Sequence, residues 1–354
     1  MSTAFDWLEE STKPLSQLSF QQAKSRQNEL TKPAGSLGAF ETIAIRLAAM
    51  QNTAKPSADR VSIHVFAADH GIAVESVSAF PQVVTAEMVN NFARGGAAIC
   101  VAARQFSADL QVWNLGTVAP VEGGSIVKNR IIAPQTTNFA NAPAMTEAQL
   151  SKALAVGVEA AESASEQGSL FVGGEMGIAN TSSATAIAAV LLACKVSDLV
   201  GPGTGLDKAG IENKTRVIDI ALARHHLSAN QPIKVLRSLG GFEIAALVGA
   251  YVRAAQLGTP IIVDGFICTV AALVACRVNS GVHDWLIFSH QSAEPGYKHL
   301  LSAFSDHQPL LNLGMRLGEG SGAAACIPLL RLACAWHTDM ATFAEAAVTV
   351  QDEK

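Results

Sequence analysis

The heptapeptide Arg316-Leu317-Gly318-Glu319-Gly320-Ser321-Gly322 sets one carboxylate among three glycines, ahead of the apolar run Ala323–Leu330. Glycine lets a backbone and a ligand approach closely. A carboxylate half screened from water there would be a proton acceptor with a tuned pKa. The plain alternative is an acidic residue in a glycine-rich turn before a helix. A second stretch, Gly173-Gly174-Glu175-Met176-Gly177-Ile178-Ala179-Asn180-Thr181-Ser182, would join a strand to a helix, with Asn180 or Thr181 as N-cap. Unpaired N–H groups and a positive dipole at such a helix start suit a phosphate; an ordinary capped helix is the alternative. The stretch has no Walker lysine, and its glycines do not follow the GxGxxG spacing. Gly201-Pro202-Gly203-Thr204-Gly205 offers a second cradle of amides. Lys214, further along, would bring a positive charge toward a phosphate, although a lone lysine is more often solvated.

Asp69-His70-Gly71 could be an acid–base pair or a pair of metal ligands, or Asp69 could cap the next segment while His70 bonds locally. The nine histidines form no HxH, HExxH or His/Cys constellation, which argues against a metal site. His225-His226 falls in an expected helix and reads as surface. No GxSxG elbow occurs, which disfavours a serine hydrolase.

Positioning these groups requires a scaffold. Residues 1–60 read as helical, with Leu37, Phe40, Ile43, Ala44 and Leu47 on one face. From Val61 to about residue 290, short apolar runs alternate with long alanine-rich ones. Strands are expected at Val61–Ala67, Leu110–Leu115, Ser169–Val172, Asp198–Val200, Pro260–Val263 and Trp285–Phe288. Near-continuous apolar strands separated by helix-length segments imply a parallel sheet covered on both faces. Their carboxyl ends run into the polar and glycine loops above, the rim where an open parallel sheet binds ligands. From about Pro309 the chain is helical again, ending in the polar Gln351–Lys354. The expected division is 1–60 and 309–354 as terminal helical segments around an α/β unit at 61–308.

Hydrophobic residues make up 49% and charged residues 16% of the 354, so much of the chain must be interior or interface. A net charge of −5 without a Lys/Arg cluster argues against nucleic-acid binding. The N-terminus lacks a basic and apolar leader pattern, and the most apolar runs are too short to span a bilayer. A cytoplasmic location and no membrane contact are therefore expected. The six cysteines form no CxxC pair and read as free buried thiols.

Taken in order, Lys32–Gly38, Ala68–Gly71, Phe80–Thr85, Gly174–Thr181, Gly240–Glu243, Asp264–Phe266, Ser289–Glu294 and Met315–Gly322 resemble the nicotinate-nucleotide–dimethylbenzimidazole phosphoribosyltransferase family, from residue 31 to about 330. The resemblance implies a Rossmann-like open parallel sheet flanked by helices, with a small helical domain from both chain ends, and a homodimer. It implies transfer of 5-phosphoribosyl from nicotinate mononucleotide to 5,6-dimethylbenzimidazole or a related aromatic N-heterocycle, with no metal or organic cofactor. Glu319, beside Gly318, would be the general base. Glu175, Met176, Gly177, Asn180, Thr181, Ser182, Gly203, Gly205 and Lys214 would hold the nucleotide. Phe80, Gln82, Met88 and Met315 would shape the acceptor slot. Asp69, Asp264 and Ser292 would orient ribose or nicotinate, or brace the rim.

Two other functions stay in view. A dinucleotide-dependent oxidoreductase would need a GxGxxG turn after the first strand, where Asp69-His70-Gly71 stands instead. A non-catalytic nucleotide-binding regulator would keep the phosphate cradle and have no use for Glu319.

Overall fold

The computed structural model describes residues 4–349; residues 1–3 and 350–354, the polar tail Gln351–Lys354 among them, lie outside. Six parallel strands form one sheet: β1 (Val61–Ala68), β2 (Asp109–Gly116), β3 (Val127–Asn129), β4 (Leu170–Met176), β5 (Ile261–Val263) and β6 (Leu286–Phe288). Their order is β3-β2-β1-β4-β5-β6. Every residue of β1 is buried, as a central strand covered on both faces requires. Helices flank the sheet, so the expected α/β architecture is found. The chain runs outward from β1 to β3, then returns to build β4 to β6 on the other side. On that returning side a cavity opens at the carboxyl ends of β4, β5 and β6, lined by Glu175, Asp264 and His290.

Two strand expectations need correction. Asp198–Val200 is not a strand, because Val196–Leu199 forms a short helix whose Val196 and Leu199 are buried at helical spacing. The apolar run there is too short to form a ladder, and Asp198 suits a helix's first turn. Val127–Asn129 is a strand that its sequence does not announce. It is short, partly exposed and paired only with β2 at the sheet edge.

Strand β4 also runs past Val172, taking Gly173 and Gly174 into the sheet rather than into a loop. Successive strand residues face opposite sides. A Cβ at Gly173 would lie 2.6 Å from Leu247 Cδ2, and one at Gly174 would lie 2.6 Å from the Glu319 carbonyl carbon. On the first side, helix Phe242–Leu257 packs against helix Glu147–Glu166. A reciprocal capping box of Thr146 and Gln149 starts the latter.

The chain ends meet around the helix Ser321–Asp339. Helices Gln17–Glu29 and Ala39–Gln51 pack on it. Arg26 donates to the carbonyls of His337 (2.6 Å), Thr338 (2.7 Å) and Met340 (3.2 Å). These are orphan carbonyls of a helix C-terminus, where a cation is favoured. No helix among the described residues is long and apolar enough to cross a membrane, and all six cysteines are free.

At the contact of helices Glu147–Glu166 and Phe242–Leu257, a Cβ on Gly157 would meet the Ala246 carbonyl oxygen and lie 2.6 Å from the Ala250 nitrogen. Backbone cannot swing aside as a side chain can. Gly157→Ala is expected to cost about 1–3 kcal/mol through overpacking. A lower urea midpoint would register it, and an unchanged midpoint would mean that the helices have room to part.

Candidate active site

Gly318, Glu319 and Gly320 all have left-handed backbone, with φ of 84°, 64° and 80°. The glycines adopt this freely, but Glu319 is strained there. Three contacts hold the turn. Asp264, one residue past β5, accepts from the N–H of Gly320 (3.2 Å) and of Ala323 (2.9 Å). The Glu319 N–H donates to the Glu175 carbonyl at 3.2 Å. Gly174, lacking a Cβ, lets the turn lie against β4. The Glu319 carboxyl is buried, and its Oε2 has no hydrogen-bond partner among the described residues. Burial raises its pKa and the Asp264 charge adds to that, against a hydrogen bond from the Ile99 backbone. A carboxylate so placed is a stronger base than one in water.

Beside this turn lies a cavity of about 290 Å³. Of the residues expected at a site, Phe80, Glu175, Met176, Gly177, Asn180, Thr181, Gly203, Asp264, Ser292 and Gly318 line it. Glu319 follows the lining Gly318 without forming part of the wall itself. Lys214 is fully buried behind the wall, its Nζ 2.7 Å from Thr181 Oγ1. The remainder lie outside the wall. Gln82 donates to the His70 carbonyl (3.0 Å) and to Gln135 (2.7 Å). Met88 is half-buried against the core, and the Met315 carbonyl accepts from the Ala293 N–H at 2.9 Å. Ser182 is buried, its Oγ without a hydrogen-bond partner among the described residues, and Gly205 turns the backbone at φ 115°.

Helix Asn180–Leu192 starts differently from expectation. Its N-cap is Ala179, left-handed at φ 76°, with no side-chain cap. Asn180 instead donates its amide to Glu175 Oε2, and Thr181 Oγ1 receives Lys214. Backbone carbonyls take two of the first N–H groups, Asn180 to Gly177 (3.1 Å) and Ser182 to Ala179 (2.9 Å), and no side chain caps the helix start, whose positive dipole end still favours an anion. Burial lowers the Lys214 pKa to about 8, opposed by the nearby Glu294 carboxylate. Burial likewise raises Glu294, opposed by Lys214 and Arg316. Arg316 donates to the Gly203 carbonyl at 2.7 Å, tying the Glu319 segment to the Gly203 loop. Glu175 is the most perturbed carboxyl on the wall. Burial raises it to about 8, the charges of Glu243, Asp264 and Glu319 add to the rise, and the Asn180 amide opposes it.

Sequence reasoning passed over four features of the wall: His290, Glu294, Arg316 and the apolar Phe266–Cys268. His290, Glu294 and Arg316 sit inside motifs quoted above, which was the available signal. Asp69 and His70 do not pair with each other. Asp69 accepts from the Val118 N–H at 2.8 Å, whereas His70 bonds Glu243 and Ser183. Elsewhere, His283, Asp306 and His307 bring ligand atoms within 4.8 Å of one another. Arg46 reaches His307 Nδ1 at 3.1 Å. Arginine can only donate, so the neutral His307 ring carries its proton on Nε2, the atom facing the cluster. That arrangement opposes metal binding.

A family model described as phosphoribosyltransferase matches residues 12–348. A nicotinate-nucleotide–dimethylbenzimidazole phosphoribosyltransferase of Pseudomonas putida is 55% identical over 343 residues, covering 97% of each chain. One of the same name from Azotobacter vinelandii is 53% identical over 345 residues, covering 97% of this chain and 98% of its own. Among solved structures, the enzyme of that name from Thermus thermophilus superposes with a TM-score of 0.89 at 40% identity, over 95% of this chain and 100% of that one.

The raised Glu175 pKa has a consequence for stability. In the unfolded chain its carboxyl ionises near 4.5, but when folded only near 8. The folded state therefore loses stability as pH rises from about 4.5 through about 8. Glu175→Gln should remove this decline. Urea unfolding of both proteins at pH 5 and pH 8 checks it: equal declines would mean that Glu175 ionises normally.

Proposed function

The chain belongs to the nicotinate-nucleotide–dimethylbenzimidazole phosphoribosyltransferase family, and from that premise we propose how its cavity carries out the reaction. The chain transfers 5-phosphoribosyl from nicotinate mononucleotide to 5,6-dimethylbenzimidazole, forming α-ribazole 5′-phosphate and nicotinate. One observation carries the assignment of ends. A buried lysine and an uncapped helix start lie at one part of the cavity, and a strained buried carboxyl adjoins another.

The donor phosphate lies at the start of helix Asn180–Leu192, against the Gly177–Ser182 turn and the Gly203–Gly205 loop. Lys214 supplies the charge from behind Thr181. Anchoring this distant anion fixes the ribose C1, which is catalysis by positioning. The leaving nicotinate is bonded through a pyridinium nitrogen, so its electron pair departs with the bond and no acid is needed. One acceptor nitrogen attacks C1 from the opposite face, inverting it to the α-configuration. The proton on the other acceptor nitrogen passes to Glu319. Phe80 faces the acceptor, and Gln82, Met88 and Met315 brace that side from outside the cavity wall; Asp264 acts by holding the Glu319 turn. The helices from both chain ends form the small domain, and the enzyme works as a cytoplasmic homodimer.

Incubation with nicotinate mononucleotide and a panel of benzimidazoles, purines and phenols, followed by chromatography, should yield a ribosylated benzimidazole and free nicotinate. No ribosylated product would overturn the reading. Glu319→Gln is expected to lower turnover by roughly 10²–10⁴-fold while nucleotide binding persists. Were Glu319→Gln fully active and Glu175→Gln inactive, the base role would pass to the carboxyl on the wall. Lys214→Ala should mainly weaken nucleotide binding in calorimetry, and an unaltered dissociation constant would remove it from the phosphate site.

A further inference from the structure

His70 and Glu243 form a hydrogen bond sealed from solvent, with Nε2 2.6 Å from Oε1 and both side chains 0% exposed. The other ring nitrogen, Nδ1, lies 3.1 Å from Ser183 Oγ, also buried. The order of groups is that of a hydrolase triad, but a serine with no access to solvent is no nucleophile. The string needs another purpose, and the ring's surroundings supply one.

The imidazole lies between two glycines. One is Gly241, the N-cap of helix Phe242–Leu257, where a Cβ would collide with the ring. The other is Gly177, on the cavity wall, where a Cβ would stand 3.3 Å from the ring and 2.5 Å from the Ala68 carbonyl oxygen. Ser183 stands one turn into helix Asn180–Leu192, whose first residues line the same wall. A carboxylate accepting from Nε2–H fixes the tautomer, leaving Nδ1 to accept from the Ser183 hydroxyl. The pair therefore fixes ring orientation, and the ring fixes both the Gly177 turn and the helix start.

We propose that His70, oriented by Glu243, is a positioning residue for the donor half of the transfer: its ring sets the place of the Gly177 turn and of the N-terminus of helix Asn180–Leu192. This rests on the function proposed above, which puts the donor phosphate at that helix start. Gln82, on the acceptor side, bonds the His70 backbone carbonyl rather than the ring. Side-chain replacement should thus disturb one substrate and spare the other.

Steady-state kinetics on the full chain tests this, with nicotinate mononucleotide and 5,6-dimethylbenzimidazole each varied at saturation of the other. In Ser183→Ala and His70→Gln, the KM for the nucleotide should rise about tenfold, since small misplacements of a binding turn are costly, while the acceptor KM moves by less than about twofold. A merely structural role would lower kcat by loss of folded enzyme and leave both KM values alone, and that outcome would overturn the proposal. If His70→Gln fails to fold, Ser183→Ala, which keeps the His70–Glu243 pair, decides: a nucleotide KM equal to wild type ends the idea. Wild-type enzyme inert toward the nucleotide would instead remove the function itself, and this inference with it.

Discussion

The Asp264 carboxylate, set between the end of β5 and the first turn of the helix Ser321–Asp339, is the contact on which the site depends. Each of its oxygens takes one backbone N–H from the segment that carries Glu319. Hydrogen bonds to a charged group contribute about 1.5–3 kcal/mol each. A non-glycine residue held left-handed costs of order 1–3 kcal/mol. Two such bonds therefore suffice to hold Glu319 in its strained backbone. A negative charge at a helix N-terminus is favoured as well, so the same group stabilises helix, turn and carboxyl position together.

Stabilising that turn with an anion creates a second problem, because Glu175, Glu243 and Glu319 are buried close by. Each carboxyl is accommodated by different means. Asp264 has backbone donors, Glu243 has His70, and Glu175 is pushed toward its neutral form. Glu319 has a raised pKa and an Oε2 without a hydrogen-bond partner among the described residues. At the other side of the cavity, Lys214 and Arg316 share Glu294 as their counter-charge. The cavity thus offers cations for a substrate with an anionic tail and a buried carboxyl for an acceptor that must lose a proton.

The sheet was legible because buried parallel strands need largely apolar runs, and β1, β2, β4, β5 and β6 have them, with only a few polar residues such as Ser62, His64, Gln111 and Asn114 interspersed. β3 escaped because three partly exposed residues at a sheet edge carry no such run. Asp198–Val200 misled because two apolar neighbours fit helical spacing as well as a strand. The glycines of Gly173-Gly174 were visible, but their reason was not: they admit Leu247 on one face and the Glu319 turn on the other, and both partners are distant in sequence. Asn180 looked like a cap since asparagine commonly is one; a buried carboxyl five residues earlier claimed its amide instead. Lys214 was named as a phosphate ligand, yet nothing in its own neighbours foretold that it would be wholly enclosed.

Arg26 and His337, which bond each other's segments, stand 311 positions apart. During synthesis the N-terminal helices leave the ribosome first, and they must wait with their docking faces uncovered until nearly the whole chain has emerged. The Glu319 turn arrives in the same late stretch, just ahead of the helix that Arg26 caps. Closing the fold and completing the reactive carboxyl's surroundings are consequently one event, so a nascent chain gains its chemistry only as it becomes a sealed body.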